Sequence, residues 1–152
     1  MNRFAILALT AFLTGCTTAA GVKSDPHTGT TTTHSAIYPA NDGFWRNMKA
    51  QVFHTKGSGY AVRTNTSSQG WMFLNSAYSY GSKLPYSVTD TSVALCSSTG
   101  CINTEQGVFL LTDAQFKKAA ASGFEFKLVG KRGSIVGKLP AKAFSEVAAL
   151  RK

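Results

Sequence analysis

Two cysteines, Cys96 and Cys101, are separated by only four residues. The residues between them are Ser97, Ser98, Thr99 and Gly100, and glycine can adopt the positive φ that a tight turn needs. Apolar residues flank the pair on both sides, so the spacing predicts a β-hairpin with a disulfide at its tip. Such a bridge contributes about 2 kcal/mol in the chain-entropy account of disulfides. A redox or metal-binding pair is the alternative, which would favour CxxC spacing or additional ligands.

A disulfide forms in an oxidising compartment, and the N-terminus supplies an export signal. Residues 1–3 are a short positive segment, and residues 4–12 are an apolar run too short to span a bilayer. The next four residues, Leu13-Thr14-Gly15-Cys16, resemble the lipobox of bacterial lipoproteins. The resemblance implies that the signal peptide, residues 1–15, is removed and that Cys16 carries lipid, including palmitate. An ordinary cleaved signal with a chance cysteine is the alternative.

The residue after the cysteine bears on localisation. Enterobacterial sorting rules place Asp there for inner-membrane retention, whereas this chain has Thr17. The resemblance therefore implies an outer-membrane lipoprotein, with its domain in the periplasm or at the cell surface.

Residues 16–36 are rich in threonine and show no hydrophobic periodicity. This composition predicts a lipidated, flexible tether with a reach of roughly 25 Å. His27 and His34 lie in the segment without the further ligands of a metal site, so we expect neither a metal nor a cofactor.

Residues 37–152 are expected to form one globular domain, long enough for a single core. Trp45, Met48 and Val52 have helical spacing, which predicts a short helix over residues 44–53.

Alternation predicts a strand at residues 60–65, followed by a turn at residues 66–70. The apolar run 71–74 is typical of a strand covered on both faces. Pro85 lacks a donor, which restricts residues 84–88 to an edge or irregular strand.

The second half of the domain contains clear helix signals. Thr112 and Gln115 have the spacing of a capping box, and Gly123 suits the end of that helix. Residues 124–137 alternate around a basic turn and predict a hairpin, and Pro140 suits the start of a last helix. The predicted fold is α+β: a small antiparallel sheet with two or three helices and a disulfide-stapled hairpin.

The order of elements from Cys96 to Leu150 resembles the invasion-associated locus B family. The shared features are a paired-cysteine segment, an apolar strand, a helix ending in glycine, a hairpin, and Leu139-Pro140 followed by Phe144. No catalytic residue is implied by this likeness.

A search for catalytic motifs is negative. The seven carboxylates are scattered, and the chain has no nucleophile elbow, P-loop, dinucleotide fingerprint or HExxH motif. His54 is the one histidine of the predicted domain, so a small envelope hydrolase would have to use it. We therefore predict a protein that is not an enzyme, with the hydrolase as the alternative.

Charge and aromatic residues indicate binding instead. Sixteen Lys and Arg residues against seven acidic ones give a formal net charge of +9. An anionic partner is expected at the basic hairpin, at Lys127, Lys131, Arg132 and Lys138. A further candidate is a stacking platform for sugars or peptides at Trp71, Tyr78 and Tyr80. The alternatives are a charge that only keeps the protein soluble and aromatic residues that pack in the core.

These features predict a lipid-anchored, non-enzymatic binding or accessory component of an outer-membrane assembly. Its partner would be another envelope protein or an anionic envelope polymer, and no nucleic acid is expected in that compartment. A module that binds peptidoglycan or lipopolysaccharide is a further alternative.

Overall fold

The computed structural model describes residues 19–151, of which 62% lie in strands and 15% in helices. The predicted α+β class is therefore wrong, because the domain is mostly β and has two antiparallel sheets rather than one small sheet. Within the described range, no helix is long and apolar enough to cross a membrane. Cys16 and the predicted signal peptide lie outside the described residues.

The larger sheet has seven strands, and each is antiparallel to its neighbours. The strands are β1 (Gly21–Asp25), β2 (Thr30–His34), β3 (Tyr38–Asn41), β4 (Arg46–Thr55), β5 (Gly59–Gln69), β8 (Tyr86–Ser97) and β9 (Gly100–Leu111). Their order is β1-β2-β4-β5-β9-β8, and β3 also pairs with β4.

The smaller sheet has four strands in the order β11-β10-β6-β7. They are β6 (Leu74–Ser79), β7 (Ser82–Leu84), β10 (Phe124–Gly130) and β11 (Gly133–Leu139). Its inner face packs on the larger sheet, where Phe109 and Phe126 meet with their ring centroids 4.9 Å apart. The predicted hairpin over residues 124–137 is confirmed, because β10 and β11 pair along their whole length.

Two helices complete the core. Helix α1 (Asp113–Ser122) begins with the predicted capping box of Thr112 and Gln115 and ends at Gly123. Helix α2 (Ala141–Leu150) follows Pro140, and Phe144 is fully buried against the ring of Phe116. Both predicted helices are confirmed.

The helix predicted over residues 44–53 is wrong, because this segment contains strand β4. Met48, Ala50 and Val52 also fit a period of two, and all three are buried on one face of the sheet. β4 pairs with β5 over ten residues, from Arg46 opposite Ser68 to Thr55 opposite Gly59. This long-range pairing overrides the helical spacing.

The predicted turn and strand at residues 66–74 are displaced. β5 continues to Gln69 because the small side chains of Thr66 and Ser68 fill its inner face. Residues 71–73 lie outside the strands, and β6 begins only at Leu74. Trp71 and Phe73 are therefore on a loop rather than in a covered strand.

The threonine-rich segment contributes to the large sheet. β1 and β2 form a hairpin, and residues 32–34 of β2 pair with residues 53–55 of β4. Threonine is β-branched and suits the pleated backbone of a strand. The threonine-rich composition alone did not indicate that this segment would form strands. Only four residues of sequence, 17–20, separate Cys16 from β1, whereas a tether through residue 36 was expected.

Candidate binding surfaces

The outer face of the small sheet combines lysines and tyrosines. In register, Lys127 of β10 lies opposite Tyr78 of β6, which lies opposite Lys83 of β7. Side chains that face each other across neighbouring strands are about 5 Å apart at Cβ. Tyr78 therefore lies between two lysines on neighbouring strands.

Two further residues extend this surface. Lys138 lies opposite Glu125, two residue pairs along the hairpin from Lys127, and Tyr80 projects from the β6–β7 turn with 80% of its surface exposed. The Lys118 ammonium of α1 lies 5.9 Å from the Tyr80 ring centroid. We call this surface the tyrosine–lysine face; its residues are Tyr78, Tyr80, Lys83, Lys127 and Lys138.

The tyrosine–lysine face is electropositive. Glu125 is the acidic residue among its cross-strand neighbours, and it forms a 2.9 Å ion pair with Lys138, the only one found among residues 19–151. This hydrogen bond and the charge of Glu125 raise the pKa of Lys138. Lys83 and Lys127 have no carboxylate within ion-pair distance in the described part of the chain.

The structure separates the basic hairpin into two parts. Lys127 and Lys138 belong to the tyrosine–lysine face, whereas Lys131 and Arg132 form the turn at the far end of the hairpin. The backbone N–H groups of these two residues donate to the carbonyl oxygens of Phe73 (3.3 Å) and Met72 (3.1 Å). The basic turn is thus joined to the loop between β5 and β6.

Trp71 is likewise separated from the tyrosines. It lies on the β5–β6 loop, where its ring centroid is 6.4 Å from that of Phe73. The Arg132 guanidinium lies over the Phe73 ring at 5.3 Å, and Lys131 lines a cleft of about 360 Å³ beside Trp71. The predicted stacking platform is therefore two separate sites.

Four connections meet at one end of the domain. Because the strands are antiparallel, the β3–β4, β5–β6, β8–β9 and β10–β11 connections all lie there. Backbone hydrogen bonds link them, including Gln69 N–H to the Trp45 oxygen and Gly70 N–H to the Cys101 oxygen. We call this region the loop end; its residues are Asp42, Gly43, Phe44, Trp45, Arg46, Gly70, Trp71, Met72, Phe73, Ser98, Thr99, Lys131 and Arg132.

A buried carboxylate holds part of the loop end in place. Glu105 of β9 is 3% exposed and accepts hydrogen bonds from the N–H groups of Met72 (2.8 Å) and Leu74 (2.9 Å). Phe73, between these donors, has a positive φ of 55°. Two charge-assisted hydrogen bonds to a buried acceptor stabilise this unusual backbone conformation.

The predicted disulfide is confirmed at the same end. Cys96 and Cys101 are directly opposite in the β8–β9 ladder, with Cα atoms 4.0 Å apart, and Ser98-Thr99 makes the turn. The Gln69 side-chain amide donates to the Thr99 carbonyl oxygen at 2.9 Å. Between this tip and the β3–β4 connection lies a groove of about 330 Å³.

Sequence reasoning missed Phe44 and Trp45, which it placed in a helix. They are 88% and 66% exposed, and their rings make an edge contact with centroids 4.9 Å apart. The signal that could have identified them is the preceding Asn41-Asp42-Gly43, in which Gly43 N–H donates to the Asn41 side chain as in a turn.

His54 has an environment unlike that of a general base. Its ring lies 4.8 Å from that of Tyr60, and it makes no side-chain hydrogen bond within the described residues. Burial lowers its pKa, the Arg151 cation lowers it further, and Asp113 opposes the change. Among residues 19–151, no three His, Cys, Asp or Glu side chains are grouped to hold a metal.

No family model, curated protein or solved structure matches this chain. The lipobox and the likeness to the invasion-associated locus B family therefore stay predictions.

Proposed function

We propose that this protein is an outer-membrane lipoprotein, anchored through Cys16, whose domain binds an anionic glycan of the cell envelope without chemical catalysis. The tyrosine–lysine face is the binding surface. The observation that supports this proposal is the row of Lys127, Tyr78 and Lys83, in which a tyrosine lies between two lysines that have no ion-pair partner within residues 19–151.

The composition of the face favours a glycan over an acidic protein surface. Tyrosine rings stack on the apolar faces of sugars, while ammonium groups attract phosphate or carboxylate substituents along the same polymer. A stable protein interface would need a core of buried apolar side chains. Val136, 41% exposed, is the one aliphatic side chain in the row.

The hydrolase alternative has no specific observation in its favour. His54 has the Arg151 cation and the Tyr60 ring as neighbours, and none of the described residues places a hydroxyl nucleophile in hydrogen-bond contact with it.

The test measures binding to three immobilised polymers: heparin as an anionic glycan, polyglutamate as an acidic chain without sugars, and dextran as an uncharged glycan. We expect the protein to bind heparin most tightly and to release it as salt rises, because exposed charges are screened over about 8 Å at physiological ionic strength.

Lys83→Ser with Lys127→Ser should weaken binding to heparin and polyglutamate alike. Tyr78→Ala should weaken binding to heparin more than to polyglutamate, because stacking needs a sugar ring.

Lys23→Ser with Lys56→Ser is the matched control, since it removes two exposed lysines outside the face. Unchanged heparin affinity in the Lys83/Lys127 variant would show that this face does not bind the glycan, and an equal loss in the control would show that only the total charge matters. Tighter binding to polyglutamate than to heparin would favour a protein partner.

Anchoring is tested separately by labelled palmitate. Cys16→Ser should abolish its incorporation, because the thiol is the group that receives the lipid. Equal labelling of the variant would refute the lipobox assignment.

A further inference from the structure

The loop end presents aromatic side chains to solvent. Phe44 and Trp45 are 88% and 66% exposed, and Phe73, on the adjoining loop, is 43% exposed. The rings of Phe44 and Trp45 contact each other in an edge arrangement, which leaves most of their surface in water. Large aromatic residues grouped at loop tips mark an interaction site rather than an ordinary surface.

Cations surround these rings. Arg46 follows Trp45 directly, and its guanidinium lies over the backbone of Gly133 at the base of the basic turn. Lys131 and Arg132 complete the group, and Arg132 also covers the Phe73 ring. The loop end thus has three cations against the single acidic residue Asp42, since Glu105 is buried beneath it.

Exposed aromatic side chains surrounded by cations match the surface of an anionic lipid bilayer in charge and polarity. Tryptophan and phenylalanine settle at the boundary between lipid headgroups and acyl chains, while Lys and Arg bind the headgroup phosphates. Anionic lipids add an attraction that falls off within a Debye length of the surface.

The sequence between the expected anchor and the sheet is short enough to hold this end near a bilayer. Gly21 pairs with His34, and His34 pairs with Phe53, seven residues along β4 from Arg46. At about 3.4 Å per residue, Gly21 is therefore roughly 24 Å from the loop end. β1 runs away from the loop end, so the chain enters β1 from that side. Five residue steps to Cys16 span at most about 17 Å, which brings Cys16 to within about 7 Å of the level of Arg46.

We infer that the loop end docks on an anionic bilayer surface. Phe44 and Trp45 enter the headgroup boundary, and Arg46, Lys131 and Arg132 contact phosphates. The anchoring argument rests on the proposed lipidation of Cys16, whereas the aromatic and charge arguments do not. In this orientation the strands of the tyrosine–lysine face rise from the membrane, so that face stays open to a glycan.

The chain contains its own probes for this contact. Its only two tryptophans, Trp45 and Trp71, both lie at the loop end. The full chain with Trp71→Phe, which reports Trp45 alone, is reconstituted into phosphatidylglycerol vesicles whose acyl chains carry bromine. We expect loss of Trp45 emission through bromine quenching and a blue shift of the remainder. Both effects should weaken on Phe44→Ser, because that ring enters the bilayer beside Trp45.

Two controls separate docking from simple proximity. Tyr80→Ser removes another highly exposed aromatic residue, on the β6–β7 turn at the opposite end, and should leave quenching unchanged. Lys131→Ser with Arg132→Ser should reduce quenching in phosphatidylglycerol vesicles and leave the weaker quenching in brominated phosphatidylcholine vesicles as it was.

Water-like, unquenched Trp45 emission in phosphatidylglycerol vesicles would overturn the inference. Equal quenching in both lipids would overturn it as well, because the cations would then have no role. A blue shift that appears only with envelope protein extract would assign the loop end to a protein partner instead. The mass of the purified chain reports lipidation of Cys16 independently, so failure of the anchor and failure of docking are distinguished.

Discussion

The tyrosine–lysine face and the loop end are built in different ways. The face lies on regular strands, so the positions of Tyr78, Lys83 and Lys127 follow from the hydrogen-bond ladder. The loop end has no ladder of its own and depends on particular contacts, above all the Glu105 carboxylate and the Cys96–Cys101 disulfide. Changes at the face should therefore affect binding with little effect on folding, whereas changes beneath the loop end should affect both.

The largest effect is expected from Glu105→Ala. The substitution leaves the N–H groups of Met72 and Leu74 without their acceptor, and each unsatisfied buried group is costly. The free energy of unfolding, measured in urea, should fall by about 3 kcal/mol. Trp71 emission in a Trp45→Phe background should change with it, since the loop loses its attachment.

Glu105→Gln is the control for this prediction, because it keeps the shape and one acceptor oxygen. It should have about half the effect of alanine. Equal stability of all three proteins would mean that the loop conformation does not depend on the carboxylate, and the contrast between the two surfaces would fail.

The disulfide should contribute the next largest effect. Cys96→Ser with Cys101→Ser removes the bridge of the β8–β9 hairpin and should lower the free energy of unfolding by about 2 kcal/mol. The comparison is made with the oxidised parent by urea denaturation. Heparin binding should persist, since the tyrosine–lysine face lies on the other sheet. Loss of heparin binding at full retention of fold would show that the two surfaces act together.

A smaller effect is expected at alkaline pH from Tyr86, the first residue of β8. The Tyr86 hydroxyl is buried, and this burial raises its pKa to about 12; the Thr64 hydroxyl opposes the rise and the Glu105 charge adds to it. A raised folded-state pKa means that its contribution to stability is complete below pH 10 and is lost as pH rises through 12. Tyr86→Phe should therefore leave stability at pH 7 nearly unchanged and reduce the loss between pH 10 and 12. An identical pH profile for variant and parent would contradict this.

The smallest effect on folding is expected from Glu125→Gln on the tyrosine–lysine face. The pair is solvent-exposed, so the midpoint of unfolding should not move. The pKa of Lys138, followed by NMR titration, should fall toward its ordinary value because the hydrogen bond that raises it is gone. Heparin affinity should increase, since the variant removes the carboxylate from a basic surface. Weaker binding would mean that Glu125 contacts the glycan rather than competing with it.

The sequence predicts elements whose determinants are local. The capping box at Thr112, the alternation through Phe126 and the cysteine pair each lie within one segment, and all three are confirmed. The spacing of Met48 and Val52 fits both periods, and only pairing with β5, a partner outside that window, decides between them.

The candidate surfaces show the same limit. Lysine and tyrosine alternation indicated which side chains face outward, but not that Lys127 would lie opposite Tyr78 of a strand some fifty residues earlier. The loop end brings together four connections from distant parts of the chain. No local pattern relates Phe44 to Arg132, because their proximity arises from the packing of two sheets.

The β1–β2 hairpin has a mechanical consequence. It is attached to the rest of the sheet through three residue pairs, Thr32 to His34 with Thr55 to Phe53, and β1 is the outermost strand. A force applied through the N-terminus acts first on β1 and then on the three residue pairs between β2 and β4. Peeling both strands would release residues 21–34, adding roughly 45 Å of contour length while leaving the two-sheet core folded. Under tension, the hairpin would therefore unfold and extend before the two-sheet core bears the load.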